Sequence, residues 1–305
     1  MRYLITGAGQ IGSQLAKDLL HAGHEVIVLR RGSHALPGAE LVSADAGDRE
    51  TLKRVAQGAA AIFHCIHTSY SVEAFRRDLP LRELAVMDVA AELGIPVVFP
   101  ESVYAFGLGA RDLHENAPLS PASPLGQARA ELLAARAEHE ARTASVIASD
   151  LIGPTAQPGS AVIPMLVLGP VASGRRAWVL GDPDAPHAVT YLPDLSRAMI
   201  AAAPLASRGD SRLMAPTAPA RSQREMAGDA AAALSKRSLG VSRIPSAVFG
   251  LAAPFSASMR ELHRQRYLWA APSLMQPGRL TSELNLVPTP WEAVLREWAA
   301  GISAR

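Results

Sequence analysis

The sequence predicts an α/β fold, a doubly wound parallel sheet with a smaller C-terminal substrate-cap region, on three observations. Strand-like and helix-like segments alternate to about residue 150. The strand segments are near-continuously apolar, and a glycine-rich turn joins the first strand to the first helix. Alternation calls for crossover helices on both faces of a parallel sheet. Strands covered on both faces lose the apolar–polar alternation of a half-exposed sheet.

RYLITGAG opens the chain as a strand. IGSQLAKDLLHAG follows as an amphipathic helix with Ile11, Leu15 and Leu19 on one stripe and Gly23 as its stop. HEVIVLRR is the second strand, followed after a polar loop by LVSADAGD, the RETLKRVAQG helix and the buried strand AIFHCIH. The helix through LRELAVMDVAAELG leads into the strand IPVVFPES, and ELLAARAEHEAR precedes SVIASDLIGP. Beyond Gly153, Pro, Gly and Ser become frequent and apolar segments are broken, as in AQPGSAVIPM, LGPVASG and GDPDAPHAV. This divides the chain into a dinucleotide-binding domain over residues 1–150 and a substrate-cap region over residues 151–305. Segments such as YLPDLSRAMIAAA are expected to pack back on the sheet. Near the end, Thr289-Pro290-Trp291-Glu292 reads as a capping box with Pro in the first turn, and Trp291, Leu295 and Trp298 share one helix face.

Composition narrows the function classes. The 305 residues are 49% apolar and 19% charged, enough for a full core. Net charge is +2, no basic run is interleaved with aromatics, and lysine occurs only at Lys17, Lys53 and Lys236, which argues against a nucleic-acid partner. The longest apolar runs are interrupted by Pro and Gly and fall short of the ~20 residues of a membrane span. A single cysteine, Cys65, fits a reducing compartment. With a strand beginning at the second residue there is no room for a leader peptide, so a cytoplasmic location is expected.

TGAGQIG places Gly7, Gly9 and Gly12 between strand and helix. The first permits a tight turn, the second lets backbone approach a pyrophosphate, and the third lets helix and strand pack closely. Amides at the helix start, at Gln10 and Ile11, add donors and a positive dipole. With a strand before it, a helix after it and a second strand at the expected distance, the motif predicts a Rossmann-type dinucleotide site. The second strand ends at Arg30-Arg31, where an NAD site would place a carboxylate for the ribose 2′-hydroxyl. Two guanidiniums suit a 2′-phosphate, so NADP(H) is expected in preference to NAD(H), the plainer alternative being two surface arginines.

The chain resembles the short-chain dehydrogenase/reductase superfamily, in its extended or atypical branch near the NAD-dependent epimerase/dehydratase proteins. The motifs carrying this are TGAGQIG, ADAGD, AIFHCIH, VFPESVYAFG, ASDLIGP, HAVTYLPDLSRAM and LVPTPWEAVLREW. The resemblance implies that Asp45 and Ala46 sit at the adenine edge, that Ile66 and His67 lie against the dinucleotide, and that Ser102 is the catalytic serine. It also implies a tyrosine and, four residues later, a lysine. Leu125 and Arg129 stand at those positions. Leucine has no proton to give, whereas Arg129 still offers positive charge and donors to a ribose hydroxyl. Without a substitute acid the expected loss is about 10²–10⁴ in rate.

Tyr104, two residues beyond Ser102 and on the same side of an extended segment, is the first candidate to supply the proton; otherwise it is a wall aromatic. Glu101 is either a base or substrate contact, or the partner of an arginine. His67 is a second candidate for proton transfer or merely caps its strand, and His64 is read as a satisfied core group. His187 either lines the substrate cleft or lies on the surface. No third ligand has metal-site spacing beside the paired histidines, so no metal is expected.

These readings point to an NADP(H)-dependent oxidoreductase acting at a carbonyl or alcohol carbon of a small organic molecule. Epimerisation or dehydration through a keto intermediate is the alternative within enzymes. A non-catalytic NADP(H) sensor or scaffold is the rival outside them. The apolar, Pro-rich cap suggests a substrate less polar than a nucleotide-sugar, unless Arg175-Arg176 or Arg260 and Arg264 form a cluster. A homodimer through helices flanking the sheet is implied by the resemblance alone.

Overall fold

The computed structural model describes residues 1–157, 159–245, 247–248 and 256–303. Six strands appear where the apolar runs place them: β1 (Arg2–Thr6), β2 (Glu25–Arg30), β3 (Glu40–Ser43), β4 (Ile62–His64), β5 (Val97–Ser102) and β6 (Thr143–Ala148). Among the described residues of the cap, the strands are short: β7 (Asp150–Ile152), β8 (Ala177–Val179), β9 (Pro186–His187) and β10 (Val189–Tyr191) precede β11 (Ser211–Met214). The last returns to the main sheet, pairing parallel with β6.

The seven-stranded sheet runs β11-β6-β5-β4-β1-β2-β3, every pairing parallel. The chain winds outward from β1 to β3, then crosses back to β4 and winds the other way. Strand order therefore reverses between β1 and β4, and a crevice opens there at the strands' carboxyl ends. The turn carrying Gly7 and the segment after His64 both border it.

Helices α1 (Gln10–His21) and α5 (Leu192–Ala202) cover one face, and α2 (Arg49–Ala56), α3 (Val72–Leu93) and α4 (Pro124–Glu138) the other. Successive residues of β1 serve the two faces. Ile5 packs with Leu15, Leu19, Leu195 and Met199, whereas Leu4 packs with Leu52, Val86 and Phe99. Each such side chain, fully buried, stabilises the fold by about 1.5–3 kcal/mol. A separate cluster in the cap gathers Phe106, Ile163, Trp269 and the Trp291 and Leu295 pair of the final helix, Trp291–Ser303. The expected stripe there is present, but the Thr289 hydroxyl donates to Asp194 Oδ1 at 2.8 Å, and its amide to Oδ2 at 2.7 Å. The buried Asp194 carboxylate thus takes the Thr289 amide, the donor that a capping box assigns to Glu292. No helix among the described residues is long and apolar enough to cross a membrane.

Candidate functional site

The crevice holds two adjoining cavities. The outer one, of about 490 Å³, is lined by the glycine turn, Arg30, Arg31, Asp45, Ala46 and the segment Cys65 to Thr68. Gly7 has φ +91°, and a Cβ there would lie 3.0 Å from the Cys65 carbonyl group. Gly12 does not face this cavity; a Cβ on it would lie 2.0 Å from the Gly7 carbonyl oxygen, so its absence lets α1 seat against the turn. Gly9 precedes α1 with no side-chain cap, and a Cβ on it would meet nothing within 4 Å. The first-turn amides of α1 are therefore left to an incoming anion.

Gln10 and Ile11 turn out to line the inner cavity. The Gln10 side-chain oxygen accepts from Ser160 Oγ at 2.7 Å and from the Gln157 amide at 3.3 Å. Its side chain ties α1 to the cap.

The rim of the outer cavity carries three guanidiniums. Arg30 donates to the His34 carbonyl at 3.4 Å, and Arg31 stands largely exposed, 4.0 Å from Asp45. The third, Arg82 of α3, grips Asp45 through both carboxylate oxygens at 2.9 and 2.8 Å. That contact, above all, holds the Asp45 carboxyl below its ordinary range. Arg82 was missed in the sequence because an arginine on an amphipathic helix carries no local mark. Three cations against one carboxylate, beside a glycine cradle and free helix amides, fit a pyridine dinucleotide.

Cys65, Ile66 and His67 line both cavities, so the two adjoin along this segment. His67 is exposed at this junction, edge-on to Phe75 with ring centroids 5.3 Å apart. Cys65 is buried, which pushes its thiol up and leaves it inert. The inner cavity, of about 200 Å³, brings Ser102 and Tyr104 together with two residues not singled out from sequence, Tyr70 and Asp150. Tyr70 Oη donates to Tyr104 Oη at 3.1 Å. Burial raises the Tyr104 phenol, while its bond to Tyr70 and the charge of Arg129 act against that rise. Asp150 accepts from the Ile163 and Val162 amides at 2.6 and 3.1 Å, yet burial pushes its carboxyl up to about 6. One signal was available: Asp150 is the carboxylate inside the apolar run ASDLIGP.

Under this cavity lies a buried ion network. Glu101 is 3% exposed; its Oε1 accepts from the Ser102 amide at 2.7 Å and the Ser102 hydroxyl at 3.3 Å, and its Oε2 from Arg136 at 3.0 Å. Arg136 also grips Glu83 at 2.7 and 2.8 Å and stacks over Phe99 at 4.1 Å. Of the two readings of Glu101, the structure forms the arginine partner. Arg129 lies 3.5 Å from Glu101 and 4.9 Å from the Phe75 ring centroid, at the cavity wall. Leu125 is wholly buried among Val72, Phe75, Leu79 and Leu132.

His187 lines the inner cavity, buried and stacked on Trp269 at 3.7 Å. Burial drives its imidazole down to about 3. His64 is also held neutral by burial; Nδ1 meets Thr6 Oγ1 at 2.8 Å, but Nε2 has no partner among the described residues, so it is only half satisfied. None of Arg175, Arg176, Arg260 and Arg264 lines the inner cavity. Among the described residues no three His, Cys, Asp or Glu side chains group to hold a metal.

Residues 3–213 match the sequence model of the NAD dependent epimerase/dehydratase family. Curated protein sequences gave no significant match. Among solved structures, the chain resembles UDP-glucose 4-epimerase of Thermotoga maritima with UDP-glucose, at 18% identity and a TM-score of 0.76 over 100% of this chain and 99% of that one. It resembles dTDP-glucose 4,6-dehydratase of Streptomyces venezuelae with NAD bound, at 20% identity and a TM-score of 0.77 over 100% and 98%. An epimerase from Methanothermobacter thermautotrophicus aligns at 21% identity and a TM-score of 0.78 over 99% and 92%. At these identities the likeness establishes the fold.

Proposed function

The chain belongs to the NAD-dependent epimerase/dehydratase family, and from that premise we propose that it is an NADP(H)-dependent enzyme working at a carbinol or carbonyl carbon of a small organic molecule. The observation that carries this is that the two cavities adjoin along Cys65, Ile66 and His67. A dinucleotide on the glycine turn would extend its reactive end toward Ser102, Tyr104, Tyr70 and Asp150. Family membership favours epimerisation or dehydration through a transient ketone. Net oxidation or reduction is the second reading, supported by the exposed Arg31 at the outer lip, which leaves the cofactor's phosphate end open to exchange.

Gly7 and Gly9 would receive the pyrophosphate, the amides of Gln10 and Ile11 its charge, and Arg30 and Arg31 a 2′-phosphate. The bound nicotinamide supplies or accepts a hydride. Ser102, held through its amide by Glu101, would turn its one hydroxyl proton from the Glu101 carboxylate to the substrate oxygen. Tyr104 gives up or receives the proton, with Tyr70 its immediate partner and, in the same cavity wall, the Asp150 carboxyl, which burial raises to about 6. Arg129, kept in place by Glu101 and Phe75, supplies positive charge where a lysine is absent. We place the protein in the cytoplasm, given its buried unpaired thiol. We place a second copy against α3, where Leu81 and Leu84 are exposed.

The test is turnover. NADP⁺-loaded protein and an alcohol panel should give either NADPH release, for net redox, or inversion of the carbinol carbon or loss of water without NADPH release, for epimerisation or dehydration. Tyr104→Phe should lower either rate by about 10²–10⁴. Tight NADPH binding with neither outcome would return the sensor reading.

A further inference from the structure

We propose that Gln265 reads the substrate, and that this substrate is compact and uncharged, carries a hydroxyl or carboxamide remote from the reacting carbon, and has no nucleoside diphosphate. The inference rests on the inner cavity being the substrate site of the NADP(H) enzyme proposed above.

Gln265 begins a short helical turn, Gln265–Leu268, and is 1% exposed. Neither its Nε2 nor its Oε1 has a hydrogen-bond partner among the described residues, and the residue lines the inner cavity. A buried primary amide with nothing to bond costs about 1–3 kcal/mol for each unmet group. Its neighbours in the wall are Leu262, Leu268 and Trp269, so leucine would fill this position at lower cost. A free donor and a free acceptor in an apolar wall are complementary to a group that both donates and accepts. His187, stacked on Trp269, adds a third unmet polar atom at Nδ1.

Charge sets what else fits. The arginines lining this cavity, Arg129 and Arg136, are matched by Glu101 and Glu83, and Asp150 adds another carboxyl. His187, neutral in its buried stack, contributes no cation. No cation in this lining is left to balance a diphosphate, and Arg243, Arg264 and Arg266 line a different cavity. At about 200 Å³, shared with the reactive end of the cofactor, the cavity is also smaller than the ~300–1,000 Å³ typical of sites for drug-sized ligands.

The experiment compares full-length wild type with Gln265→Leu and Gln265→Met, each loaded with NADP⁺. Binding of 4-hydroxycyclohexanone, 4-methylcyclohexanone and UDP-glucose is measured by calorimetry. Wild type should bind the hydroxyketone about tenfold more tightly than the methyl ketone, the scale of one net hydrogen bond. Both variants should bind the two ketones alike, melt no lower than wild type and retain NADPH affinity. UDP-glucose should produce no heat with any of them. Equal ketone binding by wild type, no ketone binding at all, or binding of UDP-glucose would each overturn the inference while NADPH binding persists. Failure of wild type to bind NADPH would instead overturn the reading of the site on which it stands.

Discussion

Replacing Asp150 with asparagine should change the pH dependence of stability in a way fixed by the position of its carboxyl. Burial holds that group at about 6 in the folded chain against an ordinary 3.8, despite amides from Ile163 and Val162 that favour the charge. Because the folded value is the higher, the carboxyl's contribution to stability is complete below pH 3.8 and is lost as pH rises through about 6. Above that the charged, buried group costs the fold about 3 kcal/mol, at about 1.4 kcal/mol per pH unit between the two values. Asparagine cannot ionise and escapes this cost. It does turn an NH₂ toward one of two backbone donors, at about 1–3 kcal/mol at every pH. The variant should therefore be less stable than wild type at pH 4 and level with it or better at pH 8. The difference should move by about 3 kcal/mol in between. Urea unfolding of both proteins at pH 4, 6 and 8 reads this directly, since the other titrating groups cancel in the comparison. A difference that stays flat across this range would refute the reasoning and remove Asp150 from the proton path.

Arg136→Met strands Glu83 as an unpaired buried carboxylate and leaves Glu101 with Arg129 as its one cation, and should cost about 3–5 kcal/mol at neutral pH, measured as a fall in the urea midpoint. A loss under 1 kcal/mol would mean that water reaches the network. Leu81→Glu with Leu84→Glu should convert a dimer to a monomer in sedimentation without lowering the melting temperature; an unchanged sedimentation coefficient would place the second copy elsewhere.

The sheet was largely readable in advance because its determinants are local. Ile5, Val28, Phe63, Val98 and Val146 sit in short apolar runs that only a strand covered on both faces accommodates. Gly7 and Gly12 were equally plain, since their spacing between strand and helix encodes the turn. The site was legible only where it lay on such motifs. Asp45 was placed at the adenine edge, but its grip by Arg82 spans 37 positions and depends on α3 packing beside α2 and over β4. Tyr70 owes its importance to a hydroxyl 34 positions away, and Gln265 to having no partner at all. Such pairings exist only after folding, and no periodicity announces them. Glu101 shows the middle case: both of its readings were open, and the buried Arg136 decided between them.

The central claim is that arginines at the end of β2 and the glycine turn hold a 2′-phosphorylated dinucleotide. Calorimetric titration of wild type and of Arg30→Ala/Arg31→Ala with NADPH and NADH tests it most directly. Wild type should prefer NADPH by at least about tenfold, the scale of one charge-assisted hydrogen bond, and the double variant should lose that preference with NADH binding unchanged. Equal affinities in wild type, or a preference for NADH, would contradict the account.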